Sequence, residues 1–259
     1  MFKIIKYDFI RKYKLVLITF ILAILLNILA IAKSGAAGSG GFLVAFPILM
    51  VILYIGDIIK MYSDDLNKRS GYMLFMTSNS GYKIIVSKVI TAILEGITIL
   101  LLYLVFILIN SVYISYAQGF QLSINMNEVI RGINQFLSGS LGFNLGHVFV
   151  FLVNALILSI SFILTAYTAI TIRKSIFSEV KLGGILSFVI FVAINWITSY
   201  ATGKLMSIMS PYYDSMQVGN MISATQLLMA LLPIMIISTI ESIIMIIGSG
   251  YLLEKKINL

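Results

Sequence analysis

Residues 84–109 read IIVSKVITAILEGITILLLYLVFILI, with Lys88 and Glu95 the only charges in the stretch. As an α-helix rising 1.5 Å per residue this stretch is about 39 Å long, against about 30 Å for the hydrocarbon core of a bilayer. Apolar residues occupy its whole circumference, as expected where lipid rather than water surrounds a helix. Five further stretches share the pattern: residues 15–32, 42–59, 147–172, 182–200 and 226–252. The expected fold is an all-α membrane protein, a single transmembrane domain over residues 1–259 with six transmembrane helices.

Whole-chain composition agrees. Of the 259 residues 60% are hydrophobic and only 11% charged, and mean hydropathy is +1.04. A soluble domain of this length needs more charge to cover its surface. There is no cysteine, which excludes disulfides, thiolate metal sites and cysteine nucleophiles, and the one histidine is His147. No catalytic and no metal site is expected.

A net charge of +8 would point to nucleic acid in a soluble protein, but the loops hold the cations asymmetrically. One side carries Lys3, Lys6, Arg11, Lys12, Lys14, Lys60, Lys68, Arg69, Lys83, Lys88, Arg173, Lys174, Lys181, Lys255 and Lys256; the other carries Lys33, Arg131 and Lys204. Positive charge stays inside, so the basic balance sets topology and no nucleic-acid partner is expected. The expected location is the plasma membrane, multi-pass, with both termini cytoplasmic. The first stretch is read as retained, not cleaved, because its apolar run exceeds the 7–15 residues of a signal-peptide core.

Residues 1–14 have Phe2, Ile5, Phe9 and Tyr13 on one face and Lys3, Arg11, Lys12 and Lys14 on the others. That pattern predicts a helix lying in the headgroup region, with its cations toward anionic lipid. The Lys33–Gly41 link is rich in Gly and Ser and reads as a flexible outer connection. The outer loop 111–146 contains a short apolar segment at Val129–Leu137 and is expected to hold an interfacial helix. Residues 201–225 are too short in apolar character to span, which predicts a re-entrant or interfacial hairpin.

The inner loop reads DIIKMYSDDLNKRSGYMLFMTSNSGYKIIVSK over residues 57–88. Asp64 and Asp65 precede Lys68 and Arg69 by four residues, the spacing of i,i+4 pairs on a short polar helix over 61–70. Gly71 can end that helix, and Tyr72, Met73, Leu74, Phe75 and Met76 follow as an aromatic and apolar cluster. A charged helix beside aromatics between two spans suits the docking of a soluble partner, and equally a solvated loop with an aromatic anchor at the membrane surface.

At these residues the chain resembles the membrane subunits of ABC-2-type ABC exporters. The likeness rests on Asp64 and Asp65, on Gly71 and Leu74, on Lys83, and on Lys88 opening the third span. The amphipathic start and the short basic tail Leu253-Glu254-Lys255-Lys256 belong to it as well. Where relatives commonly have a proline in the turn, this chain has Thr77-Ser78-Asn79-Ser80, and such residues form turns by other routes. The resemblance implies that 61–70 is a coupling helix, with Asp64, Asp65, Lys68, Arg69, Gly71 and Tyr72 contacting a cytoplasmic ATPase subunit. It implies a dimer of six-span subunits, with a second copy or a related permease. ATP and Mg would be bound by the ATPase, because this chain has no G-x-x-x-x-G-K-[ST]; Gly203-Lys204 is followed by Leu205. Half-size permeases of this form resemble exporters of antimicrobial and amphipathic peptides.

Inside the spans, Glu95 and Glu241 are costly in hydrocarbon and mark a substrate path or a subunit interface, or, for Glu95, a structural pair with a basic residue near the inner surface. Asn195 joins them as a candidate, while Asn27, Asn154 and Asn195 are expected to bond between helices. Trp196 reads as an interfacial anchor, and His147 as an ordinary interfacial histidine. The expected function is the transport subunit of an ATP-driven exporter of an amphipathic or hydrophobic cargo, not itself an enzyme. The competing class is a secondary transporter or channel built on Glu95 and Glu241. An intramembrane metalloprotease would need H-E-x-x-H, which is missing.

Overall fold

The computed structural model describes residues 2–67, 80–119, 130–131, 134–135, 144–177, 183–214 and 223–255. Among them there is no strand, and five long helices carry nearly all residues. They are α1 (Phe2–Asn67), α2 (Gly81–Ala117), α3 (Leu145–Ile176), α4 (Gly183–Asp214) and α5 (Ala224–Lys255). All five contain a stretch long and apolar enough to cross a membrane. The chain is a multi-pass helical membrane protein. The expectation of six separate spanning helices is corrected to five, and the difference lies in α1.

The 66 residues of α1 contain the stretches expected as the first two spans. Its backbone leaves helical geometry at Gly35, with φ 56° and ψ −132°, a region that a residue with a Cβ enters only under strain. The two arms on either side fold against each other. Lys12 pairs with Asp57 and Arg11 with Asp65, while Ala23 packs with Phe42, Phe46 and Met50. Partners recede from Gly35 at similar distances on both sides, so the arms run antiparallel. At Gly38 they come close enough that a Cβ would overlap the Ala30 carbonyl oxygen.

Two shorter elements expected from the sequence merge into these arms. The amphipathic segment 1–14 is the beginning of the first arm, because no Gly or Pro separates Lys14 from the apolar run. Residues 61–67 of the expected coupling helix end the second arm, and 68–70 lie outside the described residues. The expected hairpin over 201–225 is also corrected: α4 continues as helix to Asp214. The expected interfacial helix at 129–137 falls largely outside the described residues.

The chain divides into two compact units. The first is Met1–Asn79 with Val86–Ser123, the second Ser80–Ile85 with Ile124–Leu259. In the first, Phe106 of α2 meets Phe42 and Phe46 at ring separations of 5.3 and 5.0 Å. Tyr54 and Tyr103 donate to the carbonyls of Ala92 and Leu43 at 2.8 and 3.0 Å. Aromatic packing and hydroxyl-to-backbone bonds thus lock α2 onto the second arm of α1.

In the second unit α3 and α5 pack through small hydroxyl residues. Ser161, Thr165, Thr168 and Thr171 of α3 are buried, as are Ser238, Ser242 and Ser249 of α5. Small side chains at this spacing let helices approach closely without a water-driven hydrophobic effect. The first turn of α2 belongs here too: the Glu254 carboxylate accepts from the Gly81 amide at 2.9 Å, satisfying one orphan donor of a helix start.

Candidate functional site

Two polar clusters stand out from an otherwise apolar molecule, one in each unit. In the first unit, α1 brings Asp8, Arg11 and Lys12 from its first arm against Asp57 and Asp65 from its second. The helix α2 adds Lys88 and Glu95. Lys12 pairs with Asp57 at 2.8 Å and with Glu95. Lys88 pairs with Asp8 at 2.8 Å and with Asp65, and Arg11 reaches Asp65 at 2.9 Å. Lys88 and Asp8 are each only 1% exposed.

Helical spacing explains the inward face. Ile4, Asp8 and Lys12 follow one another every four residues and all are buried. Phe2, Phe9 and Tyr13 are exposed on another side. The expectation that Lys12 faces lipid headgroups is therefore corrected: it is enclosed by two carboxylates. Three cations face four carboxylates, so each lysine is shared and neither can be lost without stranding buried negative charge. Taking such ions out of water costs several kcal/mol apiece, which only good pairing offsets.

The residues expected to dock a partner are distributed unevenly. Asp65 is buried, bound by Lys88 and Arg11. Asp64 stands beside it near the end of α1. Lys68, Arg69, Gly71 and Tyr72 lie outside the described residues. Glu95 joins the network, so its cationic partner is Lys12, and Lys88 of its own helix binds Asp8 and Asp65 instead.

The second cluster surrounds Glu241, near the middle of α5 and 8% exposed. Its Oε2 is 2.5 Å from Ser161 Oγ, and its Oε1 is 3.1 Å from Thr165 and 3.0 Å from Thr198. Three helices thus converge on one carboxyl group, and the described residues place no cation in ion-pair contact with it. Asn195 lies one turn from Thr198 on α4, but its amide donates to the Phe191 carbonyl of its own helix at 2.9 Å. The buried Oδ1 atoms of Asn27 and Asn154 have no hydrogen-bond partner among the described residues.

His147 caps α3. Asn144 accepts from the amides of Gly146 and His147 at 3.0 and 3.3 Å, and its own amide donates to His147 Nδ1 at 3.2 Å. This reciprocal arrangement is a capping box. Trp196 is 71% exposed and stacks on Tyr200, whose ring Lys204 approaches at 5.7 Å.

Sequence reasoning missed Asp8, Asp57 and the inward role of Lys12 and Lys88. The signal was available in part, since Asp8 and Lys12 sit four apart on a face that omits the aromatic residues. The hydroxyls around Glu241 carried no signal, because Ser and Thr are scattered along every span. Comparison with known proteins finds no matching family model, no matching curated protein and no matching solved structure.

Proposed function

We propose that the chain is the membrane subunit of an ATP-driven exporter, moving an amphipathic or hydrophobic cargo such as a peptide, with ATP hydrolysed by a separate cytoplasmic subunit. Each arm of α1, at 1.5 Å per residue, is about 50 Å long and serves as one crossing. The chain then crosses six times with both ends in the cytoplasm, and pairs with a second copy or a related permease.

The observation that carries this proposal is the ion-pair network at the root of the inner loop. Asp57 and Asp65 precede the loop, Lys88 and Glu95 follow it, and both sides are tied to the N-terminal arm. A partner bound at 68–79 would therefore move a braced assembly of three helical segments instead of a loose loop. The chain carries no phosphate-binding motif of its own, so the energy source is a partner.

The test exploits the difference between Asp65 and the loop cations. Lys68→Glu with Arg69→Glu is expected to release a co-purifying ATPase while the chain itself remains monodisperse. Retention of the ATPase by this double variant would sink the docking assignment. Reversal of Asp65 is a poor probe, since it would break the buried network.

A second function, secondary transport, is favoured by Glu241, a buried carboxyl among hydroxyls at mid-helix. Cargo uptake into inside-out vesicles separates the two: export requires ATP with its partner subunit, secondary transport an ion gradient alone.

A further inference from the structure

The oxygens around Glu241 are placed to act as ligands. A hydroxyl group has one proton to donate and two lone pairs. Thr165 Oγ1 lies 2.7 Å from the Ser161 carbonyl oxygen and 3.1 Å from Glu241 Oε1. Thr198 Oγ1 lies 2.9 Å from the Ile194 carbonyl oxygen and 3.0 Å from the same Oε1. In both threonines the shorter contact is to the backbone of their own helix, so the proton goes mainly there. Each then turns a lone pair toward a carboxylate oxygen that offers lone pairs of its own. Such a contact becomes favourable when a positive charge lies beside both oxygens.

The carboxylate calls for that charge as well. The Ser161 hydroxyl donates to Oε2 at 2.5 Å, the length of a bond to an ionised carboxylate. Glu241 is 8% exposed, and the described residues place no cation in ion-pair contact with it. A buried charge of this kind is retained when it is paired or coordinates an ion. Oε1, Thr165 Oγ1 and Thr198 Oγ1 come from three helices, each hydroxyl about 3 Å from Oε1. That is the spacing of neighbouring ligands around a cation held at about 2.3–2.6 Å, the range for calcium, and sodium has nearly the same radius. The donors are all oxygens, and the described residues hold no group of three or more His, Cys, Asp or Glu, so a transition metal is disfavoured. One carboxylate supplies one negative charge, which matches a monovalent ion.

We propose that Glu241, Thr165 and Thr198 bind one sodium ion inside the membrane, where α3, α4 and α5 meet. Oε1 and the two threonine oxygens face the ion, and Ser161 holds the carboxylate in place through Oε2. The bound ion neutralises Glu241 and ties the three helices together. The site stands on the second unit alone and does not depend on an ATPase partner.

Thermal unfolding of the purified full-length chain in lipid tests it, in sodium, potassium or choline chloride at one ionic strength and one pH. Sodium is expected to raise the midpoint over choline, saturably, with potassium acting only at higher concentration. Radioactive sodium should bind at one ion per chain. Glu241→Gln should abolish both effects, and Thr198→Val, which keeps the shape but removes one ligand oxygen, should weaken them. Equal midpoints in sodium and choline overturn the site, as does a sodium effect that survives Glu241→Gln. Potassium acting as well as sodium overturns the choice of ion. Should Glu241→Gln not assemble, Thr198→Val still decides: unchanged sodium binding overturns the assignment.

Discussion

At the scale of single residues, Lys88 is the most consequential side chain in the first unit. It neutralises Asp8 and Asp65 together, and all three are buried. Replacing Lys88 by Gln leaves two carboxylates facing an uncharged amide, and breaking a buried pair in this way costs about 3–5 kcal/mol. We expect Lys88→Gln to lower the thermal midpoint of the purified chain sharply. Adding Asp8→Asn should recover part of that loss, because one stranded charge is then removed. Full additivity of the two changes would show that they do not share a contact. The same logic explains why the burial of Asp65 was not legible in the sequence. Four-residue spacing to Arg69 is a sound local rule for an exposed helix, but it has no knowledge of Arg11 and Lys88, which lie 54 and 23 residues away.

Among the elements, α1 shows where sequence periodicity stops. Its two apolar runs were legible, and so was the glycine-rich link between them. That the link stays helical apart from Gly35 was not, because Gly and Ser favour flexible connections when nothing packs against them. Here packing intervenes: Ser39, which is fully buried, donates to Asn110 at 2.5 Å, and Gly38 lets the first arm approach. A methyl group at Gly38 would overlap the Ala30 carbonyl. We expect Gly38→Ala to force the arms apart and destabilise the hairpin by about 1–3 kcal/mol or more, measured by thermal or denaturant unfolding. Gly40→Ala, two residues on, has open space around it and serves as the control.

For the whole molecule, composition and hydropathy disclosed the solvent, and the class of fold followed from it. The number of crossings is harder, because a helical hairpin and a single long helix present the same apolar residues in the same order. The absence of native cysteine makes this measurable. Single cysteines at positions 3, 33, 204 and 255 can be labelled with a membrane-impermeant reagent in intact cells. Six crossings predict labelling at 33 and 204 from outside, and protection at 3 and 255. Five crossings predict that 3 and 255 lie on opposite sides. The polar clusters were less legible than the spans, since each is assembled from residues on segments far apart in the chain. Glu95 and Glu241 were visible as charges out of place, but their partners were not.

The pairing of Lys12 with Glu95 also bears on how the protein is made. The two residues are separated by 83 positions, and a ribosome adds about 5–20 residues per second. Lys12 therefore waits on the order of 4–17 s for Glu95 to be synthesised, and Lys88, the counter-charge of Asp8, is completed only slightly earlier. Until then the first four turns have only the second arm of α1 as a partner, through Asp57 and Asp65, and the favoured place for a segment with Phe2, Phe9 and Tyr13 on one side is the headgroup layer. A surface-lying helix is thus expected only while the chain is being made. A nascent chain arrested before residue 88 should hold this segment at the membrane surface, where a protease can reach it, and one arrested well beyond residue 95 should not.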